Sequence, residues 1–154
     1  MCVKCELVSH LDYVKKDLQN IFASKLTHQQ QFTLVSFDHR ARMWSKGLQQ
    51  ATKANLDAAT HHVQGWEPEG GTDFDVALDA AFGVEGVQAV YLLSDGEHYG
   101  DTERLLAKVR RLSRGGEVHC HATAFHAPSR GRELMRAIAE ATGGTFEAHG
   151  NAED

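Results

Sequence analysis

The sequence predicts an α/β fold: a doubly wound, mostly parallel sheet with helices on both faces. Two observations predict it. Runs rich in β-branched and aromatic residues, without polar alternation, suit strands that are buried on both faces. Segments with apolar residues at helical spacing lie between these runs, and strands that alternate with helices favour a parallel sheet. A length of 154 residues is enough for one domain with a single sizeable core.

The elements follow one another in a regular order. Apolar residues at helical spacing predict five helices, which cover about residues 9–22, 56–66, 73–82, 101–112 and 129–142. Pro68 stops the second helix, Asp101 is placed to cap the fourth, and Gly115 with Gly116 ends the fourth. Apolar runs bounded by turn residues predict strands at 31–38, 40–44, 87–93, 117–125 and 145–148.

Composition excludes several classes of function. The chain has 42% hydrophobic and 24% charged residues and a formal net charge of -5. That charge predicts neither nucleic acid nor an anionic membrane surface as a partner. No apolar stretch approaches the ~20 residues of a membrane helix, and the first residues lack the apolar core of a signal peptide. Three cysteines, an odd number, argue against a disulfide framework, so we expect a cytoplasmic protein.

The signatures of common enzymes and of zinc sites are missing. There is no phosphate-binding G-x-x-x-x-G-K-[ST] run, and Ser94 in LLSDGE lacks the glycine frame of a nucleophile elbow. His119 and His121 fall on the opposite face of their strand from Cys120, so one metal ion could not bind all three. The CVKC pair near the start has no second pair to complete four zinc ligands. The sequence therefore predicts neither an enzyme nor structural zinc.

Two glycine-framed loops carry the remaining candidate residues. Thr72 stands in EPEGGTDF, and Asp95 stands in YLLSDGEH directly after an apolar strand. In an open α/β sheet, ligands bind outside the carboxyl ends of the strands, where Asp95 should lie. A hydroxyl and a carboxylate suit Mg²⁺, which takes oxygen ligands and keeps several waters. The alternative is that both are turn residues, with Asp95 capping its loop or the next helix.

These two loops and their surroundings resemble a known family. Over residues 11–149, the matching segments occur in the order of a von Willebrand factor type A domain. These segments are FTLVSFDHRARMW, HHVQGWEPEGGTDFDVALDAAF, VQAVYLLSDGEHYGDTERLLAKV, VHCHATAF and LMRAIAEATGGTFEAHG. The chain is most similar to the intracellular and inter-alpha-trypsin-inhibitor-like branches. The resemblance implies a Rossmann-like fold that binds protein ligands at a metal-ion-dependent adhesion site. It places Thr72 and Asp95 in the second and third loops of that site. The partner-binding surface that it implies comprises Gly71, Thr72, Asp95, Gly96 and Glu97.

The first loop of that site has no counterpart in the sequence. The family's D-x-S-x-S follows the first and central strand and supplies the main carboxylate and two hydroxyls, whereas this chain has MCVKCELVSHLDY. Ser9 and Asp12 are polar, but their spacing does not match. Thr72 and Asp95 then remain as a remnant of the metal site. No cofactor is therefore certain, and we expect Mg²⁺ to bind weakly.

The same segment is a poor match to the family's first central strand. CVKCELV is long enough to fill the slot, yet Lys4 and Glu6 would point toward a face that helices cover, and an unpaired buried charge is costly. We expect this strand to be missing or degenerate. Residues 1–10 would hold its degenerate or truncated form, 11–149 the domain and 150–154 a short tail.

The leading functional interpretation is a non-enzymatic protein–protein interaction module with an incomplete adhesion site and an unidentified protein ligand. The alternative is a truncated structural fragment, stabilised by a partner chain or by a missing N-terminal segment that donates the central strand. A hydrolase is the weakest interpretation, because no nucleophile has a base at a recognisable spacing.

Overall fold

The sheet has the doubly wound topology that the sequence predicts. The computed structural model describes residues 2–5, 11–67 and 72–150. The strands in chain order are β1 (Cys2–Cys5), β2 (Gln31–Phe37), β3 (Ala41–Met43), β4 (Gln49–Gln50), β5 (Ala89–Ser94), β6 (His119–Phe125) and β7 (Phe146–His149). Six strands lie side by side in the order β3-β2-β1-β5-β6-β7, and β4 pairs with the start of β2. The pairings among β2, β1, β5, β6 and β7 are parallel, and β3 and β4 are antiparallel to β2.

Helices cover both faces of this sheet. They are α1 (Leu11–Ser24), α2 (Lys53–Gln64), α3 (Phe74–Phe82), α4 (Thr102–Leu112) and α5 (Ser129–Ala141). Thr52, Asp73 and Asp101 cap α2, α3 and α4, and each side chain accepts a backbone N–H of the first turn. The predicted cap at Asp101 is thus confirmed. Among the described helices, none combines the length and the apolar composition that crossing a bilayer requires.

Apolar side chains on both faces of the central strands form the core. On one face, Val35 and Leu92 pack under α3, α4 and α5. On the other face, Leu34 and Leu93 pack with α1 and α2. Neighbouring leucines of β5 therefore point to opposite faces, and both are fully buried. The burial of each one stabilises the folded state by about 1.5–3 kcal/mol relative to an exposed side chain. The predicted interior, parallel strand around residues 87–93 is confirmed.

β1 occupies the central slot of the sheet. Cys2–Cys5 pair in parallel with residues 33–36 of β2 on one side and with residues 90–93 of β5 on the other. The first central strand is therefore present, and this chain itself fills the slot for which a partner chain or another segment was considered. The continuation of the predicted strand after Cys5 lies outside the described residues. The division into 1–10, 11–149 and 150–154 stays a prediction.

Most strand boundaries differ from the predicted ones by one or two residues, and two of the differences in the sheet have a clear physical reason. β5 begins at Ala89, because Val87 lies in a turn in which its N–H bonds the carbonyl of Val84 at 3.2 Å. β4 was not predicted, since the two glutamines Gln49 and Gln50 carry no apolar signal. Neither difference moves the carboxyl ends of the strands, where the candidate residues lie.

A histidine joins β6 to the residue before β7. The Nδ1 atom of His121 accepts a hydrogen bond from the backbone N–H of Thr145 at 3.1 Å and lies 2.9 Å from the Thr145 hydroxyl. The backbone bond requires an unprotonated Nδ1. Burial, together with the nearby His119 and Lys25, lowers the pKa of His121 below its usual value of 6.5.

We expect this histidine to make the domain less stable in mild acid. Because folding lowers the pKa of His121, its contribution to stability is complete above pH 6.5 and is lost as the pH falls through the folded-state value. The free energy of unfolding in urea should therefore fall more steeply between about pH 7.5 and about pH 5.5 for the wild type than for His121→Asn. The asparagine oxygen accepts the Thr145 bond without titrating. An equal fall in both proteins would contradict this role of His121.

Candidate functional site

The candidate site lies at the edge of the sheet where the parallel strands end. Thr72 is partly buried and directly precedes Asp73, the N-cap of α3. The backbone N–H of Asp73 donates a 2.8 Å hydrogen bond to the carbonyl of Asp38, the residue that follows β2. Thr72 is therefore held beside the carboxyl end of β2.

Asp95 follows β5 at the same edge and is partly buried. Its Oδ1 accepts the N–H of Glu97 at 3.0 Å, and the buried Ser94 hydroxyl accepts the N–H of Gly96 at 3.1 Å. Gly96 has a φ of +75°, a conformation that side-chain-bearing residues rarely adopt. Asp95 thus caps its own loop, which is one of the alternatives left open by the sequence, whereas Asp101 caps the next helix.

An aromatic contact holds the two loops against each other. The rings of Phe74, at the start of α3, and His98, in the loop after β5, meet edge to face with centroids 5.8 Å apart. Phe74 is fully buried and therefore anchors His98. Because β1 lies between β2 and β5, the ends of those strands are two strand spacings, roughly 10 Å, apart. Thr72 and Asp95 consequently flank the carboxyl end of β1.

A backbone contact ties the Asp95 loop to the first turn of α5. A Cβ atom on Gly96 would lie 2.4 Å from the carbonyl oxygen of Gly131, and a Cβ atom on Gly131 would lie 2.4 Å from the carbonyl oxygen of Asp95. No side chain fits at either glycine unless the backbone moves. The shape of the loop therefore depends on α5, a connection that sequence reasoning missed.

Asp38 is the other residue of this edge that sequence reasoning missed, since it was treated only as the end of a strand. It is 4% exposed. Its Oδ1 accepts the N–H of Arg40 at 2.7 Å, and its Oδ2 accepts a 3.0 Å bond from Nη1 of Arg42. Asp38 thus closes the turn between β2 and β3 with its side chain and holds the start of α3 with its carbonyl. The usable signal was an aspartate at a strand end, which favours a side-chain-capped turn.

Four of the five predicted partner-binding residues lie within the described part of the chain. Thr72, Asp95, Gly96 and Glu97 lie at the carboxyl edge of the sheet, with Gly96 buried and Glu97 exposed. Gly71 lies outside the described residues. Their role in binding a partner stays a prediction.

The described donors do not by themselves form a magnesium shell. Among the described residues, no group of three or more His, Cys, Asp or Glu side chains could hold a metal ion. Thr72 offers one hydroxyl, and one carboxylate oxygen of Asp95 already accepts the N–H of Glu97. This set falls short of the octahedral oxygen shell that Mg²⁺ prefers. Residues 6–10, where the first loop was expected, lie outside the described residues.

Sequence comparison connects this geometry to known proteins. The profile of the von Willebrand factor type A domain matches residues 5–148. Human von Willebrand factor A domain-containing protein 3B is 27% identical over 139 residues, which are 90% of this chain and 10% of that protein. Inter-alpha-trypsin inhibitor heavy chain H2 of Mesocricetus auratus is 29% identical over 75 residues, which are 49% of this chain and 7% of that protein. The chain thus spans a tenth or less of the length of these relatives.

Solved structures share the fold. The von Willebrand factor type A protein from Catenulispora acidiphila matches with a TM-score of 0.77 and 21% identity, covering 98% of this chain and 38% of that one. Proximal thread matrix protein 1 from the mussel byssus, in a structure whose MIDAS motif is occupied by zinc, matches with a TM-score of 0.69 and 18% identity, covering 96% and 40%. Since the profile extends from the end of β1 into β7, this chain belongs to the von Willebrand factor type A domain family.

Proposed function

We propose that this chain is a non-enzymatic protein–protein interaction module that binds a protein partner through the loops at the carboxyl edge of its sheet. The family supports the proposal, because von Willebrand factor type A domains typically serve protein interaction. The odd number of cysteines favours a cytoplasmic setting. The proposed contact surface is centred on Gly71, Thr72, Asp95, Gly96 and Glu97.

The proposal rests on one observation: contacts within the protein hold the Thr72 loop and the Asp95 loop at the carboxyl edge of the sheet. The Phe74–His98 contact joins the loops to each other, and the bond from Asp73 to Asp38 joins one of them to β2. A surface that is ordered before binding loses less conformational entropy when a partner docks. Glu97 is exposed on this surface and gives it an accessible charge.

A partner-capture experiment tests this function. Three immobilised proteins are exposed to a lysate of the source organism: the wild type, the double variant Asp95→Asn with Thr72→Val, and the control Glu117→Gln. Asparagine keeps an oxygen that accepts the Glu97 N–H, so the loop retains its turn. Glu117 is exposed and precedes β6, at the opposite edge of the sheet.

We expect the double variant to retain partner proteins at least about fivefold less than the wild type and the control, which corresponds to about 1 kcal/mol. Quantitative mass spectrometry of the bound fraction measures the difference. Equal retention by all three proteins would refute binding through this edge.

We further propose that the adhesion site is incomplete and binds Mg²⁺ only weakly. With Thr72 and Asp95 as its protein ligands, the ion would keep most of its waters. Titration of Mg²⁺ to millimolar concentration should therefore raise the melting temperature by no more than about 1 °C. Asp95→Asn should give the same flat response. A clear rise in the wild type that disappears in Asp95→Asn would show that other residues complete the site.

A further inference from the structure

A groove runs beside the Asp95 loop, between the segment that follows β5 and the helix α5. Its volume is about 430 Å³, within the range of ligand pockets in proteins. The α5 wall presents Arg130, Glu133, Leu134 and Ala137, whose spacing places them on one helix face. Leu134 is buried and, with Ala137 and Pro128, gives the groove an apolar surface.

The opposite wall combines an exposed ring with a carboxylate. Tyr99 is 86% exposed, which makes it the most exposed large apolar side chain in the described part of the chain. Its hydroxyl donates to Oε2 of Glu97 at 3.4 Å. The Nε2 atom of His98, which also lines the groove, is buried with no hydrogen-bond partner among the described residues. An aromatic face beside a carboxylate attracts a cationic side chain through both the ring and the charge.

Charge decides which kind of partner the groove suits. Of the described residues that line it, Glu97 and Glu133 bring carboxylates from facing walls, and Arg130 brings a cation one helical turn before Glu133. Both glutamates are exposed and therefore accessible to a partner. The formal net charge of -5 adds a long-range attraction for cationic segments.

We propose that this groove binds an extended segment of a protein partner in which an aliphatic residue adjoins an arginine or lysine. The aliphatic side chain packs on Leu134 and Ala137, and the basic group lies between Glu97 and Glu133 over the ring of Tyr99. The inference rests on the proposed function and deepens it, because it names the chemistry of the partner segment.

Amide NMR spectra of the ¹⁵N-labelled protein test this directly. The probes are three blocked dipeptides at low salt: acetyl-leucyl-arginine amide, acetyl-leucyl-glutamine amide and acetyl-leucyl-glutamate amide. We expect saturable shifts confined to residues 96–102 and 130–137, with the arginine peptide binding at least about threefold more tightly than the glutamine peptide. The glutamate peptide should bind most weakly.

Variants of exposed residues identify the groups responsible. Replacing both glutamates, Glu97→Gln with Glu133→Gln, should reduce the affinity for the arginine peptide to that for the glutamine peptide. The matched control, Arg130→Gln, removes the opposite charge from the same groove and should bind the arginine peptide at least as tightly as the wild type.

Several results would overturn the inference. These are the absence of localised shifts, equal affinity for the arginine and glutamine peptides, or preference for the glutamate peptide. Concentration-dependent dimerisation in sedimentation, with shifts at the same amides in the absence of peptide, would assign the groove to a second copy of the chain. If the peptides fail to bind while partner capture still depends on Asp95 and Thr72, this inference fails and the proposed function stands.

Discussion

Replacing Gly96 by alanine is expected to lower the free energy of unfolding by about 3–5 kcal/mol, as judged from backbone strain and overpacking. The new Cβ atom would lie 2.4 Å from the carbonyl oxygen and 2.6 Å from the Cα atom of Gly131. These are backbone atoms, which cannot rotate away as a side chain would, so the Asp95 loop and α5 must separate. Urea denaturation measures the loss.

Gly115→Ala is the matched control, because Gly115 has a similar φ of +71° and no atom within 4 Å of a built Cβ. It should lose only the ~1–2 kcal/mol of an unfavourable backbone conformation. The excess loss in Gly96→Ala then measures the contact between the loop and α5. Equal losses in the two variants would mean that the contact contributes nothing.

Gly131→Ala gives an independent check on the same contact. Gly131 lies in α5, where alanine would ordinarily add about 1 kcal/mol of stability through helix propensity. Its Cβ atom would, however, lie 2.4 Å from the carbonyl oxygen of Asp95. We therefore expect a loss of stability, and a gain would contradict the close approach.

Most of the fold could be predicted because local patterns encode it. Adjacent buried residues such as Leu92 and Leu93 are typical of a strand that is covered on both faces, and Asp101 is a helix-capping residue ahead of an amphipathic stripe. The short β4 escaped prediction, because its pairing with β2 depends on tertiary approach and the polar Gln49–Gln50 have no periodic signal. The family's strand order predicts a central slot for β1, whereas the charged Lys4 and Glu6 led to the expectation of a missing or degenerate strand; Cys2–Cys5 in fact pair on both sides of that slot.

The candidate site was predictable only in part. Thr72 and Asp95 stood out because glycines frame them and a strand directly precedes Asp95. Gly131 did not, because its significance depends on a backbone contact with a loop far away in the sequence. Its position in a helix, where glycine is unfavourable by about 1 kcal/mol relative to alanine, was the available sign of a packing constraint. Asp38 was not recognised, because it directly follows the apolar pattern of β2 and was counted as the last residue of that strand.

The second large effect is expected at Asp38. Asp38→Ala should lower the free energy of unfolding by about 2–3 kcal/mol, because it removes two charge-assisted hydrogen bonds from a buried carboxylate. The N–H of Arg40 loses its partner at the turn between β2 and β3. The loosened turn should also weaken the 2.8 Å bond from Asp73 to the Asp38 carbonyl, which holds the Thr72 loop.

Two measurements separate these effects at Asp38. Arg42→Met removes only the ion pair and should cost less than about 1 kcal/mol, since the Arg42 side chain is 49% exposed. Hydrogen exchange at the amide of Asp73 should quicken in Asp38→Ala and stay close to wild type in Arg42→Met. If the two variants lose the same stability and leave the Asp73 amide equally protected, Asp38 does no more than pair with Arg42. The backbone bond from Asp73 to the Asp38 carbonyl would then hold the Thr72 loop without help from the Asp38 side chain.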